Sequence, residues 1–262
     1  MIHRVLITGS AGRLGRAATA ALTARGHTVL GFDLKPTPNL PPSQCVIGSL
    51  ADTPLLQDAA RKVDCLIHLA ATPDDATFPR PAPPNDTDNF ESELVPNNIV
   101  GSYRVLEAAR IAGVKKVILA STGQVIDGHL DAWNVPVVAS ASFRPRYLYA
   151  CTKVFLEAIG QVYAANHDVK VLAVRLGWCP RDAGQVAQIR ASWEDQDVYL
   201  SPGDAGRFFQ AAVETPVEKL PPFAVTYCTS LPTRHLLYDL EPAKELIGFE
   251  AQDRWPTGAE EF

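Results

Sequence analysis

Cysteine is sparse. The five in the chain, Cys45, Cys65, Cys151, Cys179 and Cys228, are far apart, odd in number and without a metal-ligand spacing. That excludes a disulfide scaffold and reads as free thiols in a reducing compartment. Positive charge is not in excess either. A net charge of −5 gives no basic surface for nucleic acid. Apolar runs are all too short to span a bilayer. The N-terminus, MIHRVLITGS, enters a strand without a charged leader or cleavage site, so a cytoplasmic location is expected. Internal repeats, a nucleophile elbow and a metal cluster are also missing, which leaves hydrolase and lyase chemistry unsupported.

What the chain does have is length and apolar content, 262 residues at 47% hydrophobic, enough for one sizeable core. Short apolar runs alternate with helical patterns. Strands are expected at 3–8, 28–33, 44–48, 64–71, 115–121 and 169–177. Helices are expected at 13–26, 53–61, 97–113 and 147–167. The pattern predicts a doubly wound, parallel α/β sheet. After Gly177 the rhythm loosens. A helix over 201–214 that Asp204 would cap, a strand-like 222–230 and a short helix over 241–248 suggest an extension folded over the sheet ends. The expected organisation is a single domain, 1–262, to which 178–262 adds a small substrate-side extension.

Residues 72–97 break the pattern, with six prolines, six acidic residues and one arginine. Proline at that density is expected to prevent regular structure, leaving an acidic lid or an irregular excursion. Its local charge of −5 equals that of the whole chain.

Two motifs carry chemistry. TGSAGRLG (8–15) sets Gly9, Gly12 and Gly15 between a strand and a helix. There a tight turn lets backbone approach a diphosphate and the helix N-terminus holds its charge. Asp33 ends the next strand, 18 residues past Gly15, where a carboxylate accepts from ribose hydroxyls and repels a 2′-phosphate. NAD is thus favoured over NADP, although Lys35, two residues on, pulls the other way. The second motif is YLYACTK (147–153), which stacks Tyr149 and Lys153 one helical turn apart. A phenol titrates near ~10 in water, and a neighbouring ammonium favours its ionised form.

In order along the chain stand Gly9-x-x-Gly12-x-x-Gly15, Asp33, HLAA (68–71), NNIVGSYRVLEAAR (97–110), ILAST (118–122) and Tyr149-x-x-x-Lys153. Together they resemble the extended short-chain dehydrogenase/reductases, or NAD-dependent epimerase/dehydratases. CVIGSLAD (45–52), VRLGWC (174–179) and RASWEDQD (190–197) are most similar to the uronate dehydrogenases. The resemblance implies a Rossmann-type fold with NAD along the carboxyl edge of the sheet, and an oxidoreductase removing hydride from a carbohydrate-like secondary alcohol. An epimerase or dehydratase with tightly held NAD is the alternative, and a non-catalytic NAD sensor a third reading. Gly123-Gln124 after Thr122 argues against dehydration. Retention of both Tyr149 and Lys153 argues against the sensor.

The resemblance also implies roles. Tyr149 is the general base, Lys153 its cationic partner and holder of the nicotinamide ribose, and Thr122 the hydrogen-bond partner of the reacting oxygen, with the neighbouring Ser121 as the alternative. Gly9, Gly12, Arg13, Leu14, Gly15, Asp33, Leu50, Ala70, Ala71 and Asn98 join Tyr149 and Lys153 around NAD. Thr72, Gly123, Gln124, Trp178 and Arg190 join Thr122 and Tyr149 around a sugar or sugar acid. His68 reads as a core residue, Arg175 as the partner of a carboxylate, Asp52 as a helix start, and Cys151 has no role. Four positions depart from the pattern. Ser49 replaces an Asp after the third strand, Pro73 a Ser after the fourth, Trp178 a Ser after the sixth, and Gln188 the carboxylate-binding Arg. Arg190, two residues on, substitutes only if the loop shifts. Together with the acidic lid, these changes disfavour an anionic sugar. The two long helices, 97–113 and 147–167, are the expected dimer contact.

Overall fold

A computed structural model describes residues 1–73 and 89–260. Most of the acidic proline-rich stretch, 74–88, lies outside the described residues. Seven parallel strands form one sheet in the order β3-β2-β1-β4-β5-β6-β7. In chain order the elements are β1 (Arg4–Thr8), α1 (Arg13–Ala24), β2 (Thr28–Asp33), β3 (Cys45–Ile47), α2 (Thr53–Ala60) and β4 (Cys65–His68). Then come α3 (Gly101–Ala112), β5 (Lys116–Thr122), α4 (Asp127–Leu130), α5 (Leu148–Asn166) and β6 (Lys170–Leu176). The last are α6 (Ala183–Ala191), α7 (Trp193–Asp197), α8 (Pro202–Glu214), β7 (Phe223–Cys228) and α9 (Glu241–Ile247).

The strands are near-continuous apolar runs because both faces are covered. On one face Val5, Ile7, Ile67, Ile118 and Leu172 pack with α1 and α8. On the other, Leu6, Leu66, Val117, Leu119 and Val171 pack with α2, α3 and α5. The strand-like 222–230 segment supplies β7, in parallel register with β6 from Val171↔Phe223 to Leu176↔Cys228. Residues past 178 therefore extend the same sheet as well as crossing its ends.

Two expectations need correction. Residues 90–97 are not irregular: Phe90–Val100 is a wide, π-type helical segment with Pro96 inside it, leading directly into α3. Proline lacks an N–H, so the segment gives up one backbone hydrogen bond at Pro96 yet continues into α3. The cap of α8 is Ser201, whose Oγ accepts from the Asp204 N–H at 2.9 Å. Asp204 itself is buried and accepts from Arg207 and from the Gln252 and Asp253 amides. Asp52 does cap α2, through Oδ1 to the Leu55 N–H.

The chain reverses direction across the sheet between β1 and β4, whose ends meet at Thr8↔His68. In such sheets ligands bind outside the carboxyl ends of the strands at this switch point.

Candidate active site

The glycine turn sits at the switch point. Gly9 leaves β1 at φ +75°, a left-handed conformation open to glycine. A Cβ there would lie 2.5 Å from the Ala70 nitrogen, so the turn and the segment after β4 touch backbone to backbone. A Cβ on Gly15 would overlap the Gly9 carbonyl oxygen. The Gly12 N–H closes the turn on that same oxygen at 3.1 Å. Gly12 then caps α1 without any side-chain hydrogen bond, and the first turn of α1 holds no acidic residue. Its amides thus face a space suited to an anion. Asp33 ends β2 and braces the turn, accepting from the Ala11 N–H at 3.0 Å and the Lys35 N–H at 3.2 Å. A backbone cradle, an open helix N-terminus and a carboxylate at the second strand end fit a dinucleotide.

Arg13 and Leu14 begin α1. The Arg13 guanidinium reaches the carbonyls of Gly258 (2.8 Å) and Ala259 (3.3 Å), so the chain's last described turn is tied beside the glycine loop. No local pattern signals that link, which spans 245 residues. Leu50 packs over Gly101 at the start of α3. Ser49 serves its own turn, accepting from the Ala51 N–H.

The second half of the site stands at the end of β5. Lys153 is buried, and its Nζ donates to the Ala120 carbonyl at 2.8 Å. That ammonium lies 5.6 Å from the Tyr149 ring centroid. Burial brings the Lys153 pKa down to about 8, because a desolvated ammonium is costly. Thr122 ends β5, and its Oγ accepts from the Gln124 N–H at the start of the 3₁₀ turn Gly123–Ile126. The Gln124 side-chain oxygen is buried and has no partner among the described residues.

Asn98 fastens the segment after β4 to α5. Its Oδ1 accepts from the Thr72 N–H, and its Nδ2 donates to the Thr72 carbonyl and to Thr152 Oγ1. Thr152 donates in turn to the Tyr149 carbonyl at 2.7 Å. Behind Asn98, the Ser102 hydroxyl donates to the Asn98 carbonyl, so it accepts from His68 Nε2, and His68 Nδ1 accepts from Thr8. Burial, and then the Lys153 charge, hold the His68 imidazole down to about 3. It is a neutral core residue.

Arg175 and Glu157 form a buried bidentate pair, at 3.0 Å and 2.9 Å, into which Ser121 Oγ also donates. Ser121 is thereby occupied, and Thr122 is left as the hydroxyl at the strand end. Glu157 has a sequence signal, a lone acid within the apolar KVFLEAIG stretch.

The remaining substrate-side residues are more dispersed. Trp178 bridges to Tyr199, and its indole N–H donates to Gln185 Oε1 at 3.3 Å. Arg190 is 63% exposed and faces Glu260 at 3.4 Å, and Gln188 is exposed on the same helix. The loop shift that would turn Arg190 inward is not seen. Among the described residues, no group of three or more metal-ligating side chains comes together, and no helix is long and apolar enough to cross a membrane.

The chain is similar to several known proteins in sequence and in fold. The chain is 29% identical over 277 aligned residues to L-arabinose 1-dehydrogenase (NAD(P)(+)) from Haloferax volcanii, covering 98% of this chain and 99% of that protein. It is 28% identical over 177 residues to uronate dehydrogenase from Pseudomonas putida, covering 67% of this chain and 60% of the other. The crystal structure of glucuronic acid dehydrogenase from Chromohalobacter salexigens superposes with a TM-score of 0.75 at 26% identity, over 98% of this chain and 87% of that one. The model of the NAD dependent epimerase/dehydratase family matches residues 5–178, and the chain belongs to that family.

Proposed function

We propose that the protein is an NAD-dependent dehydrogenase that oxidises a secondary or anomeric hydroxyl of a sugar. The carrying observation is the placement of Tyr149 over a buried Lys153, whose Nζ is held by the Ala120 carbonyl at the end of β5. NAD, when bound, supplies the hydride acceptor. Tyr149, as phenolate, takes the hydroxyl proton while the carbinol carbon becomes a carbonyl carbon. Lys153 favours that phenolate by its charge, and the phenolate in turn favours the charge on Lys153. Thr122 donates to the reacting oxygen. Gly9, Gly12, Gly15, Arg13 and Leu14 would hold the diphosphate end, Asp33 the adenosine ribose, and Leu50, Ala70, Ala71 and Asn98 the walls between. Thr72, Gly123, Gln124 and Trp178 border the sugar.

An uncharged sugar suits this site better than a uronate. Gln188 and Arg190 both face solvent, and the Arg190 charge is shared with Glu260. The family relatives named for arabinose and for uronates bracket the two choices. The test is a panel of aldoses and sugar acids with NAD, followed by absorbance of the reduced cofactor. Aldoses are expected to turn over, and Tyr149→Phe to abolish it. Conversion of a sugar to its epimer without accumulation of reduced cofactor would replace this reading with the epimerase one.

The protein is further expected to pair through its two long helices. Tyr103 and Ile111 on α3, and Leu148 and Val162 on α5, are all more than two-fifths exposed. Exposed apolar side chains of this kind mark a contact surface.

A further inference from the structure

Three aromatic rings from separate parts of the chain meet on the substrate side of the sheet. Trp133 follows α4, Trp193 opens α7, and His235 follows β7. Their ring centroids lie 5.7 Å (Trp133–Trp193), 5.4 Å (Trp133–His235) and 5.3 Å (Trp193–His235) apart, all edge to face. None of the three belongs to a core cluster, and Trp133 is 51% exposed. The packing is therefore not a by-product of burying apolar area.

The cluster is held in place at some cost. Trp133 has φ +51°, a left-handed backbone that a bulky residue rarely adopts. The His235 turn is pinned by the buried carboxylate of Asp197. That group accepts from the Thr233 N–H and hydroxyl and the Arg234 N–H at one oxygen, and from the His235 N–H at the other. The Arg234 guanidinium lies 5.5 Å over the Trp193 ring. A strained backbone and a fully engaged buried carboxylate, both ordering a cluster in which Trp133 and His235 are exposed and Trp193 half-buried, indicate a binding role.

The location agrees. All three residues follow the carboxyl ends of β5, β6 and β7, the sheet edge where Thr122 and Tyr149 stand. Tyr238, three residues past His235, places its phenol against Gly123, the neighbour of Thr122. Burial, then the carboxylates of Asp127 on α4 and, more weakly, Asp195 on α7, push that phenol well above its usual pKa. Leu130 of α4 and Val198 after α7 pack in one cluster with Tyr238 and Val125, and the Val137 N–H donates to the Leu237 carbonyl at 2.9 Å, so the segments bearing the three rings converge beside Gly123.

From this geometry we infer that Trp133, Trp193 and His235 form the platform on which the ring of the sugar substrate packs, setting which sugars are bound. A sugar ring has C–H faces that suit aromatic rings and hydroxyl edges that suit indole and imidazole nitrogens. The inference rests on the proposed dehydrogenase reading and names residues outside its catalytic set.

The test is Trp133→Ala, with Trp133→Phe and His235→Ala beside it, assayed on L-arabinose and on glucuronate at saturating NAD. Trp133→Ala is expected to raise the sugar KM about ten-fold or more while kcat and the KM for NAD stay within about three-fold, and Trp133→Phe to restore most of the affinity. A sugar KM within about two-fold of wild type in Trp133→Ala, with an unchanged melting temperature, overturns the platform. Should the wild type oxidise neither sugar, quenching of tryptophan fluorescence by L-arabinose in the NADH complex separates the two proposals. Quenching that Trp133→Ala removes supports the platform while the dehydrogenase reading falls; no quenching in the wild type sinks the platform too.

Discussion

At the scale of single residues, Lys153 carries the clearest conflict between stability and use. Its folded pKa of about 8 lies below the ordinary 10.5, so the folded state disfavours the proton. Between those values the unfolded chain binds a proton that the folded one lacks, and stability rises with pH. The penalty is therefore complete below pH 8 and relieved by pH 10.5, and amounts to about 3 kcal/mol. Lys153→Met removes it but also loses the bond to the Ala120 carbonyl, worth about 1 kcal/mol. The variant is expected to be inactive yet to melt higher than wild type at pH 7, with the gap closing toward pH 10. Thermal melts of the cofactor-free protein across that range check the sign; a lower melting temperature at pH 7 contradicts it.

At the scale of elements, the glycine turn and the buried pair make opposite demands. Gly15 admits no Cβ because the Gly9 carbonyl and Ser10 backbone occupy that space. Gly15→Ala is expected to distort the turn and weaken NADH binding about ten-fold or more, read by fluorescence titration. The Arg175–Glu157 pair ties β6 to α5 beneath the site, with both side chains at most 3% exposed. Removing one partner strands a buried charge, so Arg175→Met should lose about 3–5 kcal/mol in denaturant unfolding. Arg175→Met with Glu157→Met should lose much less than the sum of the single variants, since no charge is then left unpaired.

At the scale of the whole molecule, α3 and α5 both carry exposed apolar side chains, Tyr103 and Ile111 on one and Leu148 and Val162 on the other. Sedimentation is expected to show a dimer. Ile111→Glu with Val162→Glu, both far from the glycine turn in sequence and at exposed positions, should shift the protein to monomer. Unchanged sedimentation in that double variant would place the contact elsewhere.

Much of this molecule is legible in order and spacing alone. Strands buried on both faces must be apolar throughout, so their runs stand out, and the glycine turn and the Tyr149–Lys153 pair are local chemistry written within eight residues each. Asp33 follows because it sits at a strand end that those runs define, whereas Asn98 and Thr122 are named only through the family resemblance. What sequence reading misses depends on long-range approach. Pro96 reads as a helix breaker, yet the helical segment continues past it. Asp204 reads as a cap, yet the distant amides of Gln252 and Asp253, with Arg207 one turn along the same helix, claim its carboxylate. The tie from Arg13 to Gly258 and the meeting of Trp133, Trp193 and His235 join segments with no common pattern. Sequence by itself determined the strands, the glycine turn and the one-turn spacing of Tyr149 and Lys153, because each depends on residues close along the chain. Only the tertiary structure brought Trp133, Trp193 and His235 together, because their contact joins loops that follow the ends of three strands far apart in the chain.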